Sequence, residues 1–147
     1  LLNLGLESLH LRMVQHCANA LALAQFLQKH PAVSWVRYPG LEGDPEYDRA
    51  RKYLSHGSCG VISFGLKAGR QAAQDFMQKL TIAAIETHVA DARSCCLHPA
   101  STTHRQLSDE ELVACGIAPE LVRLSCGIES AEDLIADVAQ ALDAIAA

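Results

Sequence analysis

Apolar residues recur at three- and four-residue steps along the first thirty positions, a spacing typical of an amphipathic helix. The stripe predicts one long helix over residues 3–30, ended by Pro31 because proline cannot continue a helix. Its apolar positions are Leu6, Leu9, Met13, Cys17, Ala20, Ala24 and Leu27. A second stripe predicts a final helix with an inner face of Leu134, Ile135, Val138, Leu142 and Ile145.

Short apolar runs between these helices predict the strands of a sheet, at residues 34–38, 60–67, 81–88 and 121–126. Strands that alternate with helices predict an α/β fold of two layers, here a sheet of about four strands covered by helices on one side. The 147 residues are enough for a single domain with its own core.

Capping signals predict the starts of three helices along the chain. Asp44, which a proline follows, predicts the start of one helix, and Gly57 predicts its end. Another helix is expected from about Arg70. Acidic residues three positions after Ser108 and Ser130 predict capped starts for a short helix and for the final helix.

Composition and charge exclude several classes of protein. The net charge is −5 and the basic residues are scattered, which argues against a nucleic-acid partner. No apolar run approaches the roughly 18 residues that span a membrane, and the first four residues are too few for a signal peptide. None of the six cysteines forms a Cys-x-x-Cys pair, so we expect reduced, mostly buried thiols in a cytoplasmic protein.

One arginine interrupts the last predicted strand. Arg123 stands in the middle of the run LVRLSC at residues 121–126, where a charge is costly unless an anion meets it. Because side chains alternate along a strand, Arg123 should face away from the helices that cover Val122 and Leu124. Its planar guanidinium suits a carboxylate ligand, and the alternative is an internal ion pair with one of the seventeen acids.

A polar loop, HPASTTHRQL at residues 98–107, could line the same cleft. Its histidines, His98 and His104, suggest a metal site with Cys96, but their spacing matches no common zinc template. We therefore expect these histidines to pack and form hydrogen bonds in an ordered loop, with no metal bound.

These two segments resemble the C-terminal domain of the Cys/Met-metabolism family of pyridoxal-phosphate (PLP) enzymes, and O-acetylhomoserine sulfhydrylases most of all. The resemblance covers nearly the whole chain. It includes GLESLHLRM at residues 5–13, YPGL at residues 38–41 and DARS at residues 91–94.

The resemblance implies a fold and a domain position. It implies the small C-terminal domain of a fold-type I PLP enzyme, with a mainly antiparallel sheet, over residues 1–147. Residues 1–30 would then be the long helix that follows a large PLP-binding domain. In this family PLP is held as a Schiff base on a lysine of the large domain, in a Ser-x-Thr-Lys context. None of Lys29, Lys52, Lys67 and Lys79 has that context. The chain is therefore expected to be a fragment without the cofactor lysine or other catalytic residues, and inactive alone.

The resemblance also assigns roles to individual residues. It implies that Arg123 binds the α-carboxylate of an amino-acid substrate. His88 stands where many relatives have Asn or Ser, and it could donate a hydrogen bond to that carboxylate or lie in a subunit contact. Asp91, Arg93 and Ser94 would belong to a loop at the active site. Arg93 either meets a distal group of the substrate or is a surface residue.

The activity implied for the parent enzyme is γ-replacement, in which sulfide or a thiol displaces acetate from O-acetylhomoserine in methionine and cysteine biosynthesis. A methionine γ-lyase, or a cystathionine γ-synthase or γ-lyase, is the first alternative. A non-catalytic interaction domain is the second. The expected partners are its own large domain and further copies in a cytoplasmic homotetramer.

Overall fold

A five-stranded mixed sheet lies at the centre of the fold, with strand order β1-β2-β5-β4-β3. The structure is a computed structural model and describes residues 2–146. The strands are β1 (Val33–Arg37), β2 (Val61–Leu66), β3 (Ala84–Ile85), β4 (Cys95–Leu97) and β5 (Leu121–Ser125). Three of the four pairings are antiparallel, and only β3 runs parallel to its neighbour β4. The predicted α/β class is confirmed.

Three helices cover one face of this sheet. The helices are α1 (Leu2–Glu7), α2 (Leu9–Lys29), α3 (Tyr47–Tyr53), α4 (Gly69–Lys79), α5 (Asp109–Ala114) and α6 (Ala131–Ala146), with a 3₁₀ turn at Pro99–Ser101. The core forms where α2, α4 and α6 pack together on the sheet. Its fully buried members include Leu23, Leu27, Ile62, Phe64, Phe76, Leu124, Val138 and Leu142. No helix within residues 2–146 is long and apolar enough to cross a membrane.

The sheet has one strand more than the sequence pattern predicted. The additional strand is β4, whose three residues pair with β5 on one side and with β3 on the other. A three-residue segment is too short to show a period of two. Its identity as a strand depends on neighbours that are distant in sequence.

The predicted strand over residues 81–88 is reduced to Ala84–Ile85. The backbone N–H groups of Thr81, Ile82 and Ala83 donate to the carboxylate of Asp137 in α6, at 2.7, 3.0 and 3.2 Å. Since these donors are used by a side chain, the residues before Ala84 form no ladder with another strand.

The long N-terminal helix is also interrupted, at Ser8 between α1 and α2. The predicted apolar stripe is fully buried only from Ala20 onwards, and Leu6 is 60% exposed. In the turn before Ala20 the buried positions are occupied by two polar residues, His16 and Asn19. Both make hydrogen bonds to backbone carbonyls beyond β5.

The capping predictions had mixed outcomes. The capping box of α5 is present: Ser108 accepts from the N–H of Glu111, whose carboxylate accepts from the N–H of Ser108. The helix expected after Asp44 instead begins at Tyr47. The Asp44 carboxylate accepts from the N–H groups of Tyr38 and Glu46, at 3.1 and 2.9 Å, and so holds a turn that precedes the helix.

Candidate functional site

Arg123 lies on the central strand β5, on the face of the sheet opposite the helices α2, α4 and α6. It pairs with Ser63 of β2 and with Leu97 of β4, while its chain neighbours Val122 and Leu124 belong to the core beneath the helices. The alternation inferred from the sequence is therefore correct. Arg123 itself is half-buried, because the loop that follows β3 passes over it.

The guanidinium group of Arg123 makes one hydrogen bond to the described residues. Its Nη2 donates to the backbone carbonyl of Thr87 at 2.9 Å. Its Nε is buried and has no hydrogen-bond partner. Among residues 2–146 no carboxylate lies within 4.0 Å of it, so the internal ion pair is absent from this structure. A buried donor without a partner is costly, so the described residues do not fully satisfy this guanidinium.

The loop beside Arg123 carries His88, the second candidate. His88 is exposed, and its Nδ1 lies 2.9 Å from a carboxylate oxygen of Glu86 and 3.9 Å from one of Asp91. The loop reaches Arg123 through the carbonyl of Thr87, the residue before His88. The carboxylate-binding role of His88 stays a prediction.

The next residues of the loop form a turn with an unusual backbone. Asp91 accepts from the N–H of Arg93 at 3.2 Å, and both side chains are exposed. Ala90 has a φ of 59°, in the left-handed region that glycine prefers. Its N–H donates to the hydroxyl of Ser125 at 3.2 Å, which ties the turn to the end of β5.

Ser94 differs from the other loop candidates because it is completely buried. Its N–H and its hydroxyl donate to the two oxygens of Glu129, at 2.6 and 2.9 Å. The same hydroxyl accepts from the N–H of Gly127 at 2.7 Å. The polar groups of this side chain are therefore engaged inside the protein.

The histidine loop makes the hydrogen bonds expected of it. His98 is buried, with Nδ1 2.8 Å from the hydroxyl of Ser101 and Nε2 2.7 Å from the carbonyl of Pro119. Burial lowers the pKa of His98, the Pro119 carbonyl acts in the opposite direction, and the positive charge of Arg70 lowers it further. Within residues 2–146 no group of three or more His, Cys, Asp or Glu side chains is arranged to hold a metal.

The lysines do not form a cofactor site in this part of the molecule. Lys29 and Lys79 end helices α2 and α4, Lys52 lies 5.1 Å from the ring of Tyr53, and Lys67 follows β2. All four are exposed to solvent. A lysine that bonds covalently to PLP needs a lowered pKa, which burial or a nearby cation provides. The exposed lysines of residues 2–146 therefore do not fit a covalent PLP site.

Comparison with known proteins decides the family. The sequence profile described as Cys/Met metabolism PLP-dependent enzyme matches residues 1–143. The chain belongs to this family. PLP is accordingly the cofactor of the Cys/Met-metabolism enzymes to which the chain is related.

The relatives include enzymes of two activities. The chain is 47% identical to homocysteine synthase of Schizosaccharomyces pombe and 48% identical to O-acetyl-L-homoserine sulfhydrylase 1 of Thermus thermophilus. Each match covers 95% of this chain but only 32% and 33% of those proteins. L-methionine gamma-lyase of Pseudomonas putida is 46% identical over 99% of this chain and 36% of its own length. The chain thus spans about a third of the curated Cys/Met-metabolism enzymes it matches.

A solved structure shows the same fold within a PLP-bound protein. It is a Campylobacter jejuni protein assigned as an O-acetylhomoserine (thiol)-lyase, with N'-pyridoxyl-lysine-5'-monophosphate in its chain. The TM-score is 0.88 at 38% identity, covering 95% of this chain and 33% of that one. The fold is therefore that of a segment of a fold-type I Cys/Met-metabolism enzyme, as the sequence resemblance implied.

The sequence pattern missed the residues that support the site. Glu129 follows a strand in an irregular turn, where no periodic pattern distinguishes it from a surface acid. His16 and Asn19 were detectable, because they stand four residues before Ala20 and Leu23 respectively and so continue their buried face.

Proposed function

We propose that the protein containing this chain is a PLP-dependent enzyme that exchanges the γ-substituent of an O-acylated homoserine for sulfide or a thiol. In this proposal Arg123 receives the α-carboxylate of the amino-acid substrate. The observation that carries it is a guanidinium on the central strand β5, opposite the helices α2, α4 and α6, that meets no carboxylate among residues 2–146. The bond from Nη2 to Thr87 would hold the guanidinium plane while its other N–H groups meet the ligand.

The carboxylate contact matters because geometry sets much of the rate. An arginine offers two parallel donors to a carboxylate, which fixes both the position and the orientation of the substrate. PLP supplies an electron sink for the bonds that change. Holding the amino acid in one orientation lowers the entropy that remains to be lost at the chemical step.

We propose that the chain is the C-terminal domain of its parent enzyme and that the remaining parts of the site come from residues outside the matched third. The cofactor lysine and the phosphate pocket would lie in a large domain packed against the sheet face opposite the helices α2, α4 and α6. A homotetramer in the cytoplasm follows from the same proposal. Six free cysteines fit a reducing compartment. The chain alone would then have no activity.

A methionine γ-lyase is the second candidate, because relatives of that activity reach 46% and 44% identity. The reaction products distinguish the γ-replacement activity from the γ-lyase activity. The proposed enzyme forms homocysteine from O-acetylhomoserine and sulfide, whereas a γ-lyase releases methanethiol from methionine. Both reactions should be assayed on the complete natural gene product that contains the chain. Efficient methanethiol release without homocysteine formation would overturn the preferred activity.

The role of Arg123 is tested by Arg123→Lys in the same gene product. Lysine keeps the charge but cannot donate two coplanar hydrogen bonds, and a hydrogen bond to a charged group is worth about 1.5–3 kcal/mol. We expect kcat/KM for the amino-acid substrate to fall roughly tenfold to a few hundredfold, with PLP binding intact. Arg49→Lys is the matched control, since Arg49 is exposed and pairs only with Glu46 of the same helical region. A change in kcat/KM of less than about twofold for Arg123→Lys would contradict the assignment.

A further inference from the structure

Glu129 holds the far end of the loop that passes over Arg123. Its two carboxylate oxygens accept from the N–H and from the hydroxyl of Ser94, at 2.6 and 2.9 Å. Ser94 is buried and in turn accepts from the N–H of Gly127 at 2.7 Å. The three residues form a closed set of hydrogen bonds in which a carboxylate accepts from a loop that approaches β5.

This set of hydrogen bonds is attached to helix α2, which packs in the core. Asn19 of α2 donates to the carbonyls of Gly127 and Glu129, at 3.0 and 2.8 Å. The Nδ1 of His16, on the same helix, lies 2.6 Å from the carbonyl of Cys126. Since α2 is packed in the core, these bonds hold the backbone from Cys126 to Glu129.

The other end of the same loop contacts the candidate site. The carbonyl of Thr87, at the β3 end, accepts from Nη2 of Arg123 at 2.9 Å. At the Ser94 end, the carbonyl of Ala92 accepts from the N–H of Ile128 at 2.9 Å. Residues 87–93 are all exposed and contribute nothing to the hydrophobic core. The position of the Thr87 carbonyl therefore depends on hydrogen bonds from Glu86 to β4, from Ala90 to Ser125 and at Ser94, of which those at Ser94 are the shortest.

We infer that Glu129 is a positioning residue for the carboxylate site. By holding Ser94 it sets the path of residues 87–93, which places the Thr87 carbonyl where it orients the Arg123 guanidinium. This inference rests on the proposed function, because it assumes that Arg123 binds a carboxylate. It adds that the affinity for the carboxylate depends on an acid that does not touch the ligand.

The test compares two ligands in the complete natural gene product with PLP bound. L-norleucine has an α-carboxylate but no leaving group at Cγ, and L-norleucinamide lacks only the negative charge. In Glu129→Gln, which weakens the hold on Ser94, we expect the inhibition constant of L-norleucine to rise about tenfold, because small misplacements of a binding group are costly. The constant of L-norleucinamide should change less than about twofold. Glu132→Gln is the matched control, since Glu132 is an exposed acid of α6, and neither constant should change.

A second arm shows whether Glu129 acts through Arg123. In an Arg123→Lys background the effect of Glu129→Gln on L-norleucine should disappear, because the oriented guanidinium is already gone. If the two substitutions weakened L-norleucine binding independently, so that their effects multiplied, the inference would be wrong. It would also be wrong if Glu129→Gln weakened the binding of both ligands equally. Either result would leave the proposed function standing. If Arg123→Lys alone did not weaken L-norleucine, the proposed function itself would fail. Should Glu129→Gln not fold, Glu129→Asp, which keeps the charge and shortens the reach, gives the same comparison and is judged by the same ratio.

Discussion

Asp137 accepts two hydrogen bonds from Thr81, one from its backbone N–H and one from its hydroxyl, each 2.7 Å long. The carboxylate also accepts from the N–H groups of Ile82 and Ala83, and it is buried. This arrangement resembles the one at Ser94, where Glu129 accepts from the N–H and the hydroxyl of a single residue. The segment from Thr81 to Ser94 is thus tied at both ends by a carboxylate.

The first prediction concerns acid and Asp137. Burial alone raises the pKa of this carboxyl, but the hydrogen bonds from Thr81, Ile82 and Ala83 outweigh it and hold the pKa below the ordinary 3.8. An acid whose pKa is lower in the folded state contributes stability above its unfolded value and loses it as the pH falls through the folded value. Asp137→Asn should therefore lower the free energy of unfolding at pH 7 by about 2 kcal/mol, because its NH₂ group would face N–H donors.

Denaturant unfolding of both proteins between pH 7 and pH 2 measures this effect. The difference between them should shrink as the pH falls below about 4. Glu42→Gln, at an exposed acid outside the helices, should change stability by less than about 0.5 kcal/mol. A difference that stayed constant down to pH 2 would show that the ionised form of Asp137 is not what stabilises the fold.

The second prediction concerns Gly127, which has no space for a side chain. A Cβ there would overlap the carbonyl of Ala92 and the carboxylate of Glu129, and it would lie 2.6 Å from the N–H nitrogen of Ser94. Gly127→Ala should lower the free energy of unfolding by about 1–3 kcal/mol. Thermal unfolding measures the loss. Gly5→Ala is the control, because nothing lies within 4 Å of its Cβ position and alanine favours a helix, so it should not destabilise.

The third prediction concerns Ala90, whose φ of 59° is strained for a residue with a side chain. Ala90→Gly removes that strain but adds freedom to the unfolded chain. The net effect should be a gain of about 0.5–1 kcal/mol in the free energy of unfolding. Ala92→Gly gains the same freedom without relieving a positive φ, so it should instead lose about 0.5–1 kcal/mol. Chemical denaturation of the two variants side by side checks the opposite signs.

The fourth prediction concerns the lysines. Because all four are exposed, the chain of residues 1–147 mixed with PLP and then dialysed should retain no stoichiometric visible absorption band. Weak, reversible reaction at several surface amines is expected and is removed by dialysis. If a band persisted and a single lysine substitution abolished it, that lysine would bind PLP covalently and the prediction would be wrong.

The elements that the sequence predicted well are those whose pattern is local and long. The stripe of α6, the alternation around Arg123 and the Ser108 capping box each depend on residues within a few positions of one another. The strand β4 and the short β3 could not be found that way. Strand β4 forms because β5 lies beside it. Strand β3 is short because the carboxylate of Asp137, more than fifty residues away, accepts from the backbone N–H groups that precede it.

The residues of the candidate site also differ in how well the sequence alone predicts them. Arg123 was predictable because a charge inside an apolar strand is conspicuous in the sequence alone. The partners that fix it were not, since Thr87 contributes only a backbone carbonyl and Glu129 acts from a turn. An acid at an inner-face position of an amphipathic helix, such as Asp137 beside Val138 and Leu134, has a visible signal, as do His16 and Asn19 on the buried face of α2.

The two carboxylate ties also bear on how new substrate preferences could arise. Residues 85–93 between them are exposed, so substitutions there leave the hydrophobic core untouched. Under the proposed function, variation at His88 or Arg93 would reshape one wall of the substrate site while Thr81 and Ser94 keep the ends of the loop in place. A library randomised at residues 85–93 and kept constant at Asp137 and Glu129 would therefore sample substrate specificity with little loss of folding stability.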